Sequence, residues 1–169
     1  MNKEIELVDL VDDSGVIQKR KVPRTEIDSY PNLYLQIVIG VVLDKEGRML
    51  VHKRAQTKRV NPGDIDHICG GVMSGETPEI AADREAVEET GVKPLNLKIV
   101  AQGVNKYNRY RYLLLGESND QPGEVNPAEV EWVRFVHPDE LKMKLNSREF
   151  TFVDEFFEDT ELAIINRKG

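Results

Sequence analysis

The hydrophobic pattern changes period several times along the chain, and each change marks an element. Ile5–Leu10 and Val16–Val22 are β-rich runs parted by the turn cluster Asp12-Asp13-Ser14-Gly15, which predicts an N-terminal hairpin. Pro23 to Pro31 reads as a connecting segment. Tyr34–Leu43 and Met49–Lys53 predict strands joined by the turn Asp44-Lys45-Glu46-Gly47. The longest apolar run, Ile37–Leu43, is far shorter than the roughly 20 residues of a membrane span and reads as a buried strand.

A polar loop, Ala55–Asp66, leads to a short strand around His67–Cys69. The clearest helix follows. Thr77 suits its N-cap, Pro78 its first position, and Gly91 its left-handed end. Leu95–Gln102, Arg109–Leu115 and Glu129–Val136 predict further strands. Pro138 opens a short helix, and Phe152–Asn166 reads as a closing helix with Phe156 and Phe157 turned to the core. Without strict βαβ alternation, this predicts helices packed on a mixed sheet, of α/β or α+β class. No repeat or linker interrupts residues 1–169, so one domain is expected, with 1–30 as hairpin and connector.

Composition narrows the function. A formal net charge of -7 argues against a general nucleic-acid binder, so no DNA partner is expected, while a small anionic substrate stays open. The single cysteine, Cys69, excludes an internal disulfide and suits a reducing cytoplasm. The opening MNKEIELVDLVDD has no continuous apolar stretch, which predicts neither signal peptide nor membrane anchor.

The chemistry concentrates in Gly70–Val92. Glu85, Glu88 and Glu89 stand at i, i+3 and i+4 and share one helical face, with Ile80 and Val87 roughly opposite as the expected buried side. Like charges at this spacing cost a few tenths of a kcal/mol per pair. Most acid-rich faces are simply solvated. A hard cation with oxygen ligands, such as Mg²⁺, would offset the repulsion.

The surrounding spacing decides for chemistry. Gly70, Glu76, Arg84-Glu85, Glu88-Glu89 and Gly91, with apolar Ala86 and Val92, resemble the complete box of the Nudix hydrolase superfamily. A chance match of seven such identities is on the order of one in a million per chain. Ala86 departs from the larger aliphatic residue usual there. The resemblance implies an α/β/α sandwich with a mixed sheet and a loop-helix-loop. It also implies Glu85, Glu88 and Glu89 as metal-binding and catalytic positions for Mg²⁺ or Mn²⁺, and Arg84 with Glu76 as a brace between helix and loop. The glycines Gly70 and Gly91 would allow its tight turns. Which glutamate serves as base varies between subfamilies, and Glu129 is a tentative further ligand or base.

Beyond the box, over roughly residues 4–142, the chain is similar to the isopentenyl-diphosphate isomerase branch and its hydrolase-like relatives. There an Arg and a Lys four residues apart bind the substrate diphosphate, and Arg54 and Lys58 stand at the matching positions. Cys69-Gly70 falls where the isomerase carries its catalytic cysteine. The isomerase's metal histidines are missing, since Gly71 follows Gly70 and Tyr30–Gln36 holds none, and Asn105–Tyr112 has no carboxylate. Cys69 therefore reads first as a small buried residue of a glycine-lined turn. His67 reads as a satisfied structural histidine near the pocket, and Trp132 and Phe135 as packing residues.

The reading favoured is metal-dependent hydrolysis of a nucleoside diphosphate linked to another moiety, or a related organic diphosphate. Isomerase activity and a non-catalytic nucleotide-binding module are the alternatives. The Pro62–Asp66 loop, the Asn105–Tyr110 segment and the Glu117–Pro127 loop are candidates for substrate choice, and the hairpin could extend the sheet or form a homodimer contact.

Overall fold

The strand Tyr34–Leu43 is the spine of the molecule, because its two faces carry different apolar layers. The computed structural model describes residues 5–168, so the first four residues of the N-terminal stretch and Gly169 lie outside it. The strands are β1 (Leu7–Val11), β2 (Ile17–Pro23), β3 (Tyr34–Leu43), β4 (Met49–Arg54), β5 (Ile65–Asp66), β6 (Ile68–Gly71), β7 (Leu95–Val104), β8 (Arg109–Glu117) and β9 (Val130–Val136). The helices are α1 (Pro78–Thr90), α2 (Pro138–Asn146) and α3 (Phe156–Ile165). No described helix is long and apolar enough to cross a membrane.

Side chains of a strand alternate between faces. Ile39, Val41 and Leu43 therefore join Leu113 and Leu115 against Leu141 of α2 and Phe156 and Ala163 of α3. Val38 and Val42 point the other way, where Ala81, Ala82 and Ala86 of α1 pack. Fully burying one such aliphatic side chain contributes about 1.5–3 kcal/mol, so both layers are needed to hold the sheet. The sheet is mixed. β3 runs parallel to β8 from Leu35↔Arg109 to Leu43↔Glu117, and its other edge pairs antiparallel with β1, β6 and β4 in turn. The α/β sandwich expected from the sequence is the fold observed.

The N-terminal hairpin joins this sheet within the chain through Leu10↔Leu35. It is also fastened to the loop before α1. Asp9 Oδ1 accepts from Ser74 Oγ at 2.6 Å and from the Lys21 N–H at 2.9 Å, and the Ser74 N–H donates to the Leu7 carbonyl at 2.8 Å.

Several boundaries differ from the sequence reading. The connector after Pro23 contains a 3₁₀ turn, Arg24–Ser29. Cys69 lies on β6 opposite Ile39, not in a turn, because its neighbours Ile68 and Gly70 also find partners on β3. The closing helix begins at Phe156, because Phe152 instead bridges Ile65 in parallel and Glu155 turns the chain into the helix.

The largest correction concerns α1. Ile80 and Val87 are 55% and 47% exposed, and the buried residues are Ala81, Ala82, Ala86 and Thr90. Glu88 stays exposed, while the helix packs Glu85 and Glu89 toward the sheet rather than away from it. Only small residues fit between them, which explains Ala86, fully buried among Val42, Leu50, Ile68 and Val92.

Candidate active site

Thr77 caps α1 by accepting from the Ile80 N–H at 3.3 Å, and Gly91 ends the helix at φ 69°. Between these ends, the helix brings two glutamates onto β6. The Glu85 carboxyl lies over Gly70, where a Cβ would come within 2.0 Å of Oε1. Glu89 Oε2 accepts from the Cys69 N–H at 3.0 Å.

Arg84 fixes this arrangement. Its Nε and Nη2 donate to the two oxygens of Glu76 at 2.8 and 2.9 Å, and Nη2 also donates to the Gly71 carbonyl at 2.9 Å. Its Nη1 donates to Glu85 Oε1 at 2.7 Å. Such bidentate, charge-assisted bonds are strong and directional. Glu76 in turn accepts from the Met73 N–H at 2.9 Å. The guanidinium thus ties the helix, the loop before it and β6 together.

Glu88 stands apart. Its side chain is 59% exposed, with Arg84 Nη1 at 3.6 Å. Among the described residues, no three His, Cys, Asp or Glu side chains converge as a ready cation cage. Burial raises the Glu89 carboxyl well above the usual carboxylate range, opposed by the Cys69 N–H and reinforced by nearby Asp66 and Glu85. Burial likewise raises Glu85, against the hydrogen bond and charge of Arg84. Burial thus disfavours the charged form of both carboxyls, most strongly at Glu89.

Cys69 joins these glutamates to a cavity of about 330 Å³, whose lining includes Arg54, Asp66, His67, Cys69, Tyr107 and Glu155. Burial and the nearby Asp66 and Glu89 carboxylates hold the Cys69 thiol well above its ordinary value, so it is not a resting thiolate. Arg54 Nη1 donates to Asp66 Oδ2 at 3.1 Å, and its other nitrogens donate to the Val60 carbonyl. Lys58 turns away from the cavity to pair with Glu129, so the two residues singled out separately meet each other.

His67 packs on α3 but is not fully satisfied, since its buried Nδ1 has no hydrogen-bond partner among the described residues and the residue lines the cavity. Its ring stacks on Phe156 with centroids 4.0 Å apart, and Nε2 lies 3.1 Å from the Phe156 carbonyl and from Thr160 Oγ1. Trp132 and Phe135 pack against the core.

Of the three segments expected to govern substrate choice, Asp66 of the first and Asn105 and Tyr107 of the second reach the cavity, together with Asn61 just before the first. The Glu117–Pro127 loop does not. Its Gly123 N–H donates to the Thr90 carbonyl, which pins the loop to the far end of α1. The wall formed by Val153, Asp154, Glu155 and Asp159 was missed, because a closing helix begun at Phe152 hides the turn at Asp154 and Glu155 that leads into α3.

Comparison with known proteins agrees with this geometry. Residues 33–156 match the family model described as the NUDIX domain. An uncharacterized Nudix hydrolase of Nostoc sp., all7351, is 36% identical over 90 residues, 53% of this chain and 53% of that one. The chain thus spans about half the length of that curated relative. Isopentenyl-diphosphate Delta-isomerase of Streptomyces coelicolor is 30% identical over 149 residues, 80% of this chain and 73% of that one. The crystal structure of DR0079 from Deinococcus radiodurans shares the fold, with a TM-score of 0.67 at 22% identity and coverage of 96% of this chain and 98% of that one.

Proposed function

The chain belongs to the Nudix family, and from that premise we propose that it hydrolyses a diphosphate linkage with a divalent cation. The substrate is a nucleoside diphosphate joined to another moiety, or a related organic diphosphate. The observation that carries this reading is the seating of Glu85 and Glu89 against Gly70 and Cys69, braced by Arg84.

The donor set suits the cation. Glu85, Glu88 and Glu89 offer carboxylate oxygens only, the choice of hard ions such as Mg²⁺ or Mn²⁺. The space over Gly70, which a Cβ would fill, is where Glu85 lies. When bound, the metal polarises a phosphoryl oxygen and lowers the pKa of a water. The chain's own residues do the rest. Arg84 orients Glu85 and limits its rotation. Arg54, at the end of β4 on the cavity wall, supplies positive charge for phosphate oxygens, and Lys58 adds a second cation by exchanging Glu129 for substrate. A box glutamate, or Glu129 outside it, takes the proton from water.

The test is metal-dependent turnover over nucleoside diphosphates and triphosphates, nucleotide sugars, dinucleoside polyphosphates, coenzyme A, nicotinamide dinucleotides and isopentenyl diphosphate, with products identified by mass. A cleaved diphosphate that is lost in Glu89→Gln supports the reading, and metal-independent cleavage overturns it. Cys69 on the cavity wall favours one second reading, isomerisation of isopentenyl diphosphate. That reading requires double-bond migration without phosphate release, abolished by Cys69→Ala.

A further inference from the structure

The cavity wall holds an acceptor that the fold leaves unused. Glu155 precedes α3 with φ 65° and ψ 5°, a left-handed backbone that side chains other than glycine adopt at a cost. Its side chain makes no capping bond to the helix. Its carboxylate is 23% exposed and lies 3.8 Å from Arg111 Nη1 and 3.9 Å from Lys106 Nζ, both beyond hydrogen-bond reach. Those cations are already engaged more closely, Arg111 with Asp159 and Lys106 with Asp154 at 2.6 Å. Glycine or asparagine would suit this backbone better, and the two long ion pairs leave the carboxylate without a hydrogen bond of its own among the described residues.

The rest of the cavity says what would use it. One end carries Arg54 and Cys69, beside the box glutamates. Ile37 and Ile39 of β3, which lies between β6 and β8, add apolar lining, and Val60 and Val153 add more. Tyr107 stands at the turn between β7 and β8, its hydroxyl bonded to Asp154. The far wall, Glu155 with Asp154 and Asp159, offers acceptors and negative charge. A molecule matching this sequence of surfaces has a diphosphate at one end, a flat ring in the middle and hydroxyl or amine donors beyond it, and lacks a second anionic end.

For the nucleoside diphosphate substrate of the reading above, we propose that Glu155 is a specificity residue accepting a hydrogen bond from a hydroxyl or amine of the nucleoside. This rests on the hydrolase reading of the same site. It predicts preference for nucleoside diphosphates over diphosphates whose organic group has no donor.

The experiment measures KM for adenosine, guanosine, cytidine and uridine diphosphates, and the inhibition constant of isopentenyl diphosphate, in the wild type, Glu155→Gln and Glu155→Gly. Glycine accepts the left-handed backbone, so Glu155→Gly should melt no lower than the wild type. Its KM for the preferred nucleoside diphosphate should rise about 10- to 100-fold, the size of a lost hydrogen bond to a charged group. Glu155→Gln, which keeps an acceptor, should fall between, and inhibition by isopentenyl diphosphate should hold within about twofold in both variants. An unchanged KM, or equal losses for both kinds of ligand, overturns the assignment. If another organic diphosphate is cleaved but no nucleoside diphosphate is, this inference fails and the hydrolase reading stands. If no diphosphate is cleaved, both fail.

Discussion

The carboxyl of Glu85 fills the space that a side chain on residue 70 would need: an ideal Cβ on Gly70 would lie 1.9 Å from Glu85 Cδ. Gly70 is thus required by its neighbour and not by its own backbone. Gly70→Ala should displace Glu85 and lower turnover by about 100-fold or more, the scale of losing a group that stabilises transition-state charge. Circular dichroism should show the fold retained. Normal turnover in a folded Gly70→Ala protein would place the reaction away from Glu85.

Glu89→Gln keeps the shape of a desolvated carboxylate and removes its charge. Its melting temperature should hold or rise without metal, because burying a neutral amide costs less than burying a charge. Metal-dependent turnover should fall about 100-fold or more. Full activity in this variant would sink the proposed chemistry.

Arg84→Lys retains the charge but not the fork that grips both oxygens of Glu76 together with Gly71 and Glu85. Chemical denaturation should show a loss of about 1–3 kcal/mol. Turnover should fall further than stability alone explains, since Glu85 loses its orienting partner. Equal stability of the two proteins would mean that the brace is redundant.

His67 should remain neutral well into acid. Burial lowers it to about 4 from its ordinary 6.5, so between those values the folded chain binds fewer protons there than the unfolded chain. Its contribution to stability is complete above about pH 6.5 and is lost as the pH falls through that window. Asp66 and Asp159, each raised to about 6 by burial, act in the opposite sense, since their contribution is lost as the pH rises toward 6. Melting curves therefore blur the effect. NMR of the imidazole is the direct measurement, and a midpoint near 6.5 would show that the ring is solvated.

The box was legible because its chemistry fixes both residue identity and spacing: Arg84 must reach Glu76 and Glu85 together, and Gly70 must leave room. The orientation of α1 was not. Counting Ile80 and Val87 as the buried side assumes that larger apolar residues face inward, whereas this helix turns Glu85 and Glu89 to the sheet and packs on alanines. The strand β6 is only Ile68–Gly71, and glycines in it resemble a turn until β3 supplies its partners. The far wall of the cavity was illegible for another reason. Glu155 and Arg111 come together through packing of α3 on β8, which no local pattern records.

The parallel pairing of β3 with β8 has a consequence for how the molecule is made. All of α1 and β7 lie between these partners along the chain, so a growing polypeptide has β3 complete long before residue 117 can close the ladder. Until then one apolar strand edge stands bare, the kind of edge that recruits other chains. Non-local pairing of this sort closes slowly, in the millisecond-to-second regime. Synthesis interrupted before Glu117 would therefore leave a sticky intermediate with its box already present but no finished sheet to hold it.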